Sequence, residues 1–299
     1  MVKPSPLKAG DRVALLAPAG ACDKGRLEAG TAILESWGLT VEPPSDGPAL
    51  RYMAGPDEKR GGELASAFAD ERIRAVLVAR GGYGSARLFE TFDVSRLARQ
   101  PKIFVGFSDV SILLNRIITE AGLVCYHGPM AAADLPRLSE AGRERFRAFL
   151  FSEPGWWDGS VREVWRPGRG RGVLKGGCLS VLVTTLGTPY EFDSSGAVLF
   201  LEDVAEKPYR IDRMLTQLRH AGKFDGASAV VFGPMTDCDG GYGPSMLRDV
   251  AMDVLSGLDC PVLYGLDAGH GSDNLPLPFG CEVGVDGGRV ELLEPVFDS

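Results

Sequence analysis

Histidine is scarce in this 299-residue chain: only His127, His220 and His270 are present. No HExxH run occurs, so a zinc centre built on one helix face is excluded. The six cysteines (Cys22, Cys125, Cys178, Cys238, Cys260 and Cys281) include no CxxC pair and no Cys/His cluster. Scattered singly through mostly apolar runs, they read as buried free thiols of a reducing compartment. Asp237-Cys238-Asp239-Gly240 lacks the spacing of a complete calcium loop. The dinucleotide fingerprint GxGxxG and the phosphate loop GxxxxGK are missing too, which leaves nucleotide binding poorly supported. Cationic side chains are outnumbered, 32 Lys and Arg against 40 Asp and Glu, for a net charge of −8. Such a balance offers no basic face to a phosphate backbone, and no nucleic-acid partner is expected. No run approaches the ~18 apolar residues of a membrane span. Met1 to Gly10 lacks an apolar signal core. The chain is expected to be cytoplasmic, with no membrane partner.

What is abundant is hydrophobic residues, 44% of the chain, and glycine, 39 residues. Together they imply a sizeable core crossed by many tight connections. The first half alternates apolar runs with amphipathic segments. Arg12–Pro18, Ile73–Ala79, Ile103–Phe107 and Val124–His127 read as strands. Leu27–Trp37, Glu58–Ala69, Ala86–Phe92 and Asp109–Ala121 read as helices, the first closed by Gly38. Alternation of this kind implies an α/β fold with parallel pairing, and ligands gather beyond the carboxyl ends of such strands. Pro18, the loop Arg80-Gly81-Gly82-Tyr83-Gly84 and Ser108 all fall at such ends.

Residues 151–172 carry no helical or strand period and are expected to form a linker or covering loop between a domain at 1–150 and a second at 173–299. The second unit reads as strands Val173–Lys175, Val198–Leu201, Ala229–Phe232 and Val262–Gly265, with helices from Cys178, Tyr209 and Ser245. It closes on a hairpin, Glu282–Val285 and Arg289–Leu293, turned through Asp286-Gly287-Gly288.

Ser108 follows a buried strand and a small residue, Gly106, and precedes a helix. A strand-to-helix turn exposes a hydroxyl and aims amides at the same point, as a nucleophile requires. The same position suits a helix N-cap, and Val110 stands where a GxSxG elbow has its second glycine. For a base, His270 lies between Gly269 and Gly271, a backbone shaped to present the ring. His127 ends a strand beside the same region, with a structural or substrate-contacting role open; His220 reads as solvated or capping. Glu202 and Asp203 end an apolar run, where a carboxylate is costly unless paired, for instance with an imidazole. Asp267 and Asp273 flank His270 as rivals. Backbone amides of Gly82 and Asp109, expected at adjacent strand ends, would be free to point at one developing negative charge as an oxyanion hole; a glycine-rich loop after a strand also suits a phosphate, the weaker reading here.

These segments resemble the LD-carboxypeptidase family of serine peptidases, which also includes microcin C resistance peptidases. The matching pieces run in order: Gly10-Asp11 with Val13 to Pro18, Arg80 to Gly84, Gly106-Phe107-Ser108-Asp109, and His127-Gly128-Pro129. In the second half they are Gly176-Gly177-Cys178-Leu179-Ser180, Leu186 to Tyr190, Leu201-Glu202-Asp203, Tyr209 to Arg213, and Gly269-His270-Gly271 with Asp273-Asn274. The resemblance implies a flavodoxin-like N-terminal domain and a smaller α/β C-terminal domain, a homodimer, and no cofactor or metal. It implies a triad of Ser108 as nucleophile, Glu202 as orienter and His270 as base, with the Gly82 and Asp109 amides as oxyanion hole. The implied reaction releases terminal D-alanine from a cytoplasmic muropeptide; a peptidyl-nucleotide or other short-peptide substrate is the alternative. A catalytically silent ligand-binding homologue is the third reading, because Cys178 stands where the family often has asparagine. No role is assigned to Arg80, Tyr83 or Asn274, near the expected mouth, and the substrate-binding residues are unknown at this stage.

Overall fold

The computed structural model describes residues 1–243 and 245–298. Its strands are β1 Arg12–Leu16, β2 Thr40–Glu42, β3 Ile73–Val78, β4 Ile103–Gly106, β5 Cys125–His127, β6 Glu163–Arg166 and β7 Gly170–Cys178. They continue as β8 Val198–Val204, β9 Ala229–Thr236, β10 Val262–Tyr264, β11 Leu277–Phe279, β12 Glu282–Asp286 and β13 Arg289–Leu292. The helices are α1 Lys24–Ser36, α2 Asp57–Ala69, α3 Ser111–Arg116, α4 Glu140–Leu150, α5 Leu179–Val183, α6 Pro208–His220 and α7 Ser245–Val254.

The first sheet has the order β11-β5-β4-β3-β1-β2. Strands β1 to β5 are mutually parallel in the 2-1-3-4-5 order of the flavodoxin fold. Their apolar runs are buried on both faces, as helix-covered parallel strands must be: β3 and β4 read IRAVLV and IFVG, with only Arg74 exposed. The second sheet has the order β13-β12-β7-β8-β9-β10-β6, parallel through its centre from β7 to β10 and antiparallel at both sides. Among the described residues, no helix is long and apolar enough to cross a membrane.

Two features differ from the pattern expected. Residues 151–172 are not a bare covering loop: Glu163–Arg166 forms β6, pairing antiparallel with β10, and β7 begins at Gly170. Strand β6 buries only Trp165, so no alternation announces it. The chain also returns to the first sheet after completing the middle of the second, because β11 pairs antiparallel with β5. Beyond it, Val296 O accepts from the Tyr126 hydroxyl at 2.8 Å, and the Phe297 ring lies 5.3 Å from that of Tyr126. One continuous apolar core joins both sheets, from Phe104 to Phe200 and Phe232.

Candidate active site

Strand β4 ends at Gly106, where a Cβ would press to 2.8 Å from a methyl of Val78, so only glycine lets this turn close on β3. Phe107 is extended, and Ser108 turns to φ +61°, the left-handed region that non-glycine residues rarely occupy. A 3₁₀ turn, Ser108–Val110, then leads into α3. The serine hydroxyl caps neither element, and an N-cap residue has extended rather than left-handed backbone. A conformation that costs roughly 1–3 kcal/mol is instead used to lift the side chain off the strand.

The loop after β3 runs against this turn. A Cβ on Gly81 would sit 2.8 Å from Ser108 Cβ and 3.6 Å from the Asp109 amide. Gly82 (φ +108°) and Gly84 (φ +136°) supply the conformations the loop needs. Gly20 N donates to Gly81 O at 2.9 Å, which joins the loops after β1 and β3 at the switch point of the sheet. Asp109 is buried, and its carboxylate accepts from Ser85 N at 2.8 Å, tying the glycine loop to the serine turn. Burial raises the Asp109 pKa, and the hydrogen bonds from Ser85 and Gly84 partly oppose the rise.

Arg60 completes this side, and the sequence reading passed it over. Its guanidinium is 1% exposed and donates to Gly55 O at 3.1 Å, to Gly84 O at 2.9 Å and to Pro18 O, while pairing with Asp57. The signal was a charge on the apolar stripe of α2, in line with Leu64, Ala67 and Phe68.

The second sheet supplies a carboxylate and an imidazole, Glu202 and His270. Glu202 lies near the end of β8, where the register to β9 slips, and is fully buried. Its Oε2 is 2.7 Å from His270 Nδ1 and accepts from the His270 amide at 3.0 Å. Gly269 (φ +95°) makes this approach possible, since a Cβ there would lie 2.5 Å from Oε2. The His270 loop is held by Thr236 Oγ1, donating to His270 O at 2.8 Å, and by Gly269 N, donating to Asn274 Oδ1 at 2.7 Å. Burial alone would raise the Glu202 carboxyl; His127 and His270 outweigh it and hold the pKa at about 2. For His270, burial lowers the pKa, but Glu202, helped by Asp203 and Asp134, carries it above its ordinary value.

Two of the three rival acids are engaged elsewhere. Asp203 accepts from Ser180 N at 2.7 Å and Val204 N at 2.9 Å at the start of α5, and Asp273 accepts from Ser139 Oγ at 3.0 Å. Asp267 has a buried oxygen without a hydrogen-bond partner. The two sides meet through Phe107, whose ring stands 4.7 Å from that of His270. No hydrogen bond joins Ser108 to His270 among the described residues.

Of the residues left without a role, Arg80 is exposed and donates to Ala21 O at 2.6 Å. Tyr83 is exposed, its ring 5.5 Å from that of Tyr52, whereas Asn274 is a buried strut. Cys178 is also internal: its thiol lies 3.5 Å from Ser180 Oγ and 3.7 Å from Asp203 Oδ1. Burial first, then Glu202 and Asp203, push that thiol well above the ordinary range. All six cysteines are free. His220 is exposed at the end of α6, while His127 is wholly buried beside Glu202.

Comparison with known proteins identifies the family. Residues 13–128 match the LD-carboxypeptidase N-terminal domain and residues 171–285 the LD-carboxypeptidase C-terminal domain. The murein tetrapeptide carboxypeptidase of Pseudomonas aeruginosa is 34% identical, over 93% of this chain and 94% of its own. A probable murein peptide carboxypeptidase of Bacillus subtilis is 35% identical, over 95% of this chain and 91% of its own. The crystal structure of muramoyltetrapeptide carboxypeptidase from Oxalobacter formigenes superposes with a TM-score of 0.82 at 30% identity, covering 94% of this chain and 97% of that one. With both domain matches in order and relatives aligned over nearly its whole length, the chain belongs to the LD-carboxypeptidase family of serine peptidases.

Proposed function

We propose that this enzyme removes the terminal D-alanine from a murein-derived tetrapeptide, using Ser108, Glu202 and His270. The observation that carries this reading is the pairing of His270 Nδ1 with buried Glu202 at 2.7 Å, beside a serine turned to φ +61°. In this scheme Ser108 Oγ attacks the carbonyl of the L,D-peptide bond and gives its proton to His270 Nε2. The charge on the tetrahedral oxygen is met by the amides of Gly82 and Asp109. Collapse breaks the C–N bond, His270 returns the proton to the leaving D-alanine amine, and water then hydrolyses the acyl-enzyme with His270 as base. Glu202 holds the imidazole in the Nδ1–H form and stabilises the imidazolium. Release of the amino acid from a cytoplasmic muropeptide belongs to peptidoglycan recycling, and the working form is a homodimer.

The test is D-alanine release from murein tetrapeptide, with a peptidyl-adenylate analogue run in parallel. Turnover of the tetrapeptide that disappears in Ser108→Ala supports the proposal. Full activity in that variant removes Ser108 from the mechanism. Exclusive turnover of the adenylate keeps the triad but replaces the substrate. The structure gives no support to a silent homologue through Cys178, whose thiol is turned toward Asp203 and Ser180.

A further inference from the structure

Glu202 has two oxygens, and the pairing with His270 accounts for one. Oε2 takes both the ring and the amide of His270, whereas Oε1 is buried without a hydrogen-bond partner. A buried carboxylate oxygen left in that condition is unfavourable, because it has given up water and received nothing in return. The polar group facing it is Nε2 of His127, at 3.8 Å, and both ring nitrogens of His127 are themselves buried and unpartnered. The side chains of Glu202 and His127 are both 0% exposed. The rings of Phe107, Phe200 and Phe279 stand 5.4, 5.3 and 5.2 Å from the imidazole. At 3.8 Å the gap exceeds a hydrogen bond and is too narrow for a bridging water on the line between the atoms.

The placement of the two groups in the fold gives the contact its meaning. His127 ends β5 of the first sheet, paired with Gly106 just before the serine turn. Glu202 belongs to β8 of the second sheet. A hydrogen bond between them would link Glu202 to the sheet that carries Ser108.

We propose that His127 is a positioning residue that donates from Nε2 to Glu202 Oε1, so that the carboxylate is gripped by two imidazoles and held in register with Ser108. This deepens the triad reading and rests on it for its catalytic consequence. The contact itself stands apart from any activity. His127 touches neither substrate nor reacting atoms in this role; it acts through Glu202.

Two measurements test it. In the wild-type protein, ¹⁵N-resolved imidazole spectra are expected to show His127 with its proton on Nε2, and a His127 resonance protonated on Nδ1 alone overturns the proposal. That measurement needs neither turnover nor a variant, so it stands even if the enzyme cleaves no murein peptide. The second compares His127→Leu with His127→Gln, whose amide can donate toward the same oxygen. The leucine variant is expected to lose on the order of 10- to 100-fold in kcat, with KM within about 2-fold, and to shift the His270 ring resonances. His220, exposed at the far end of α6, is expected not to move. The glutamine variant should recover most of the loss. Equal kcat in leucine and wild type with an unmoved His270 signal, or equal impairment of both variants, assigns His127 to packing and defeats the proposal.

Discussion

The two halves of the candidate site are built on opposite principles. On the first sheet, the serine side is made of backbone: a left-handed serine, glycines at positive φ, and amides at a helix start. On the second sheet, the acid–base side is made of buried side chains that exchange hydrogen bonds, with Glu202 at its centre. The first stores strain and the second stores charge. A strained turn fails when a Cβ is added or an oxygen removed; a buried charge fails when its partner or its ionisation changes.

The largest expected effect breaks the first side chemically. Ser108→Ala should lower kcat by about 10⁴-fold or more, measured as D-alanine release, while leaving the fold intact. Next is Glu202→Gln, which keeps the shape and deletes the charge. It should cost about 10³- to 10⁴-fold in kcat, because the His270 tautomer is no longer fixed.

A pair of glycine substitutions sharpens the contrast. Gly269→Ala places a Cβ 2.5 Å from Glu202 Oε2 in a backbone at φ +95°, and should lose roughly 1–3 kcal/mol in a urea titration as well as activity. Gly81→Ala pushes on Ser108 at 2.8 Å and should lose on the order of 10²-fold in kcat with a smaller change in the urea midpoint. If the Gly81 variant proves the less stable of the two, the division into strain and charge is wrong.

The pH profile tests the charged side alone. A raised His270 pKa stabilises the folded state below about 6.5, and that contribution disappears as pH rises through the folded value. Glu202, held at about 2, contributes above the ordinary carboxylate range and loses its contribution as pH falls through about 2. In the proposed mechanism His270 acts as base in its neutral form, so the acid limb of kcat/KM should have its midpoint above about 6.5. In Glu202→Gln that midpoint should fall, and an unmoved limb means that another group is being titrated. The smallest effect is expected from Asp109→Asn, whose amide oxygen can still accept from Ser85 N; about 1 kcal/mol in the unfolding midpoint is the expected loss.

The asymmetry also decides what could be read from the sequence. Backbone-built chemistry leaves a local trace, because glycines and a strand-to-helix junction are visible at Gly81, Gly82 and Gly106 without any knowledge of neighbours. Side-chain chemistry is non-local, so Glu202 could not be separated from Asp203, Asp267 and Asp273 by its own surroundings in the chain. The family resemblance pointed to it, and the hydrogen bonds of the folded chain single it out beside His270. Arg60 was missed because its partners, Pro18, Gly55 and Gly84, come from three separate loops. Strand β11 escaped notice because Leu-Pro-Phe is three residues long with a proline at its centre. Proline is admissible there only because the strand lies at the edge of its sheet.

That same edge strand sets an order of events during synthesis. Residues 12–127 can align β1 to β5 as soon as they leave the ribosome, but the outer side of β5 stays unpaired until Leu277–Phe279 is made. An open strand edge is adhesive toward other chains, and here it remains uncovered for the translation of about half the protein. Because His270 emerges only seven residues before the strand that seals this edge, the proposed nucleophile and its proposed base are brought together at nearly the moment the sheet is closed. Under the proposed mechanism, a nascent chain is thus inactive until His270 and the strand after it have been made.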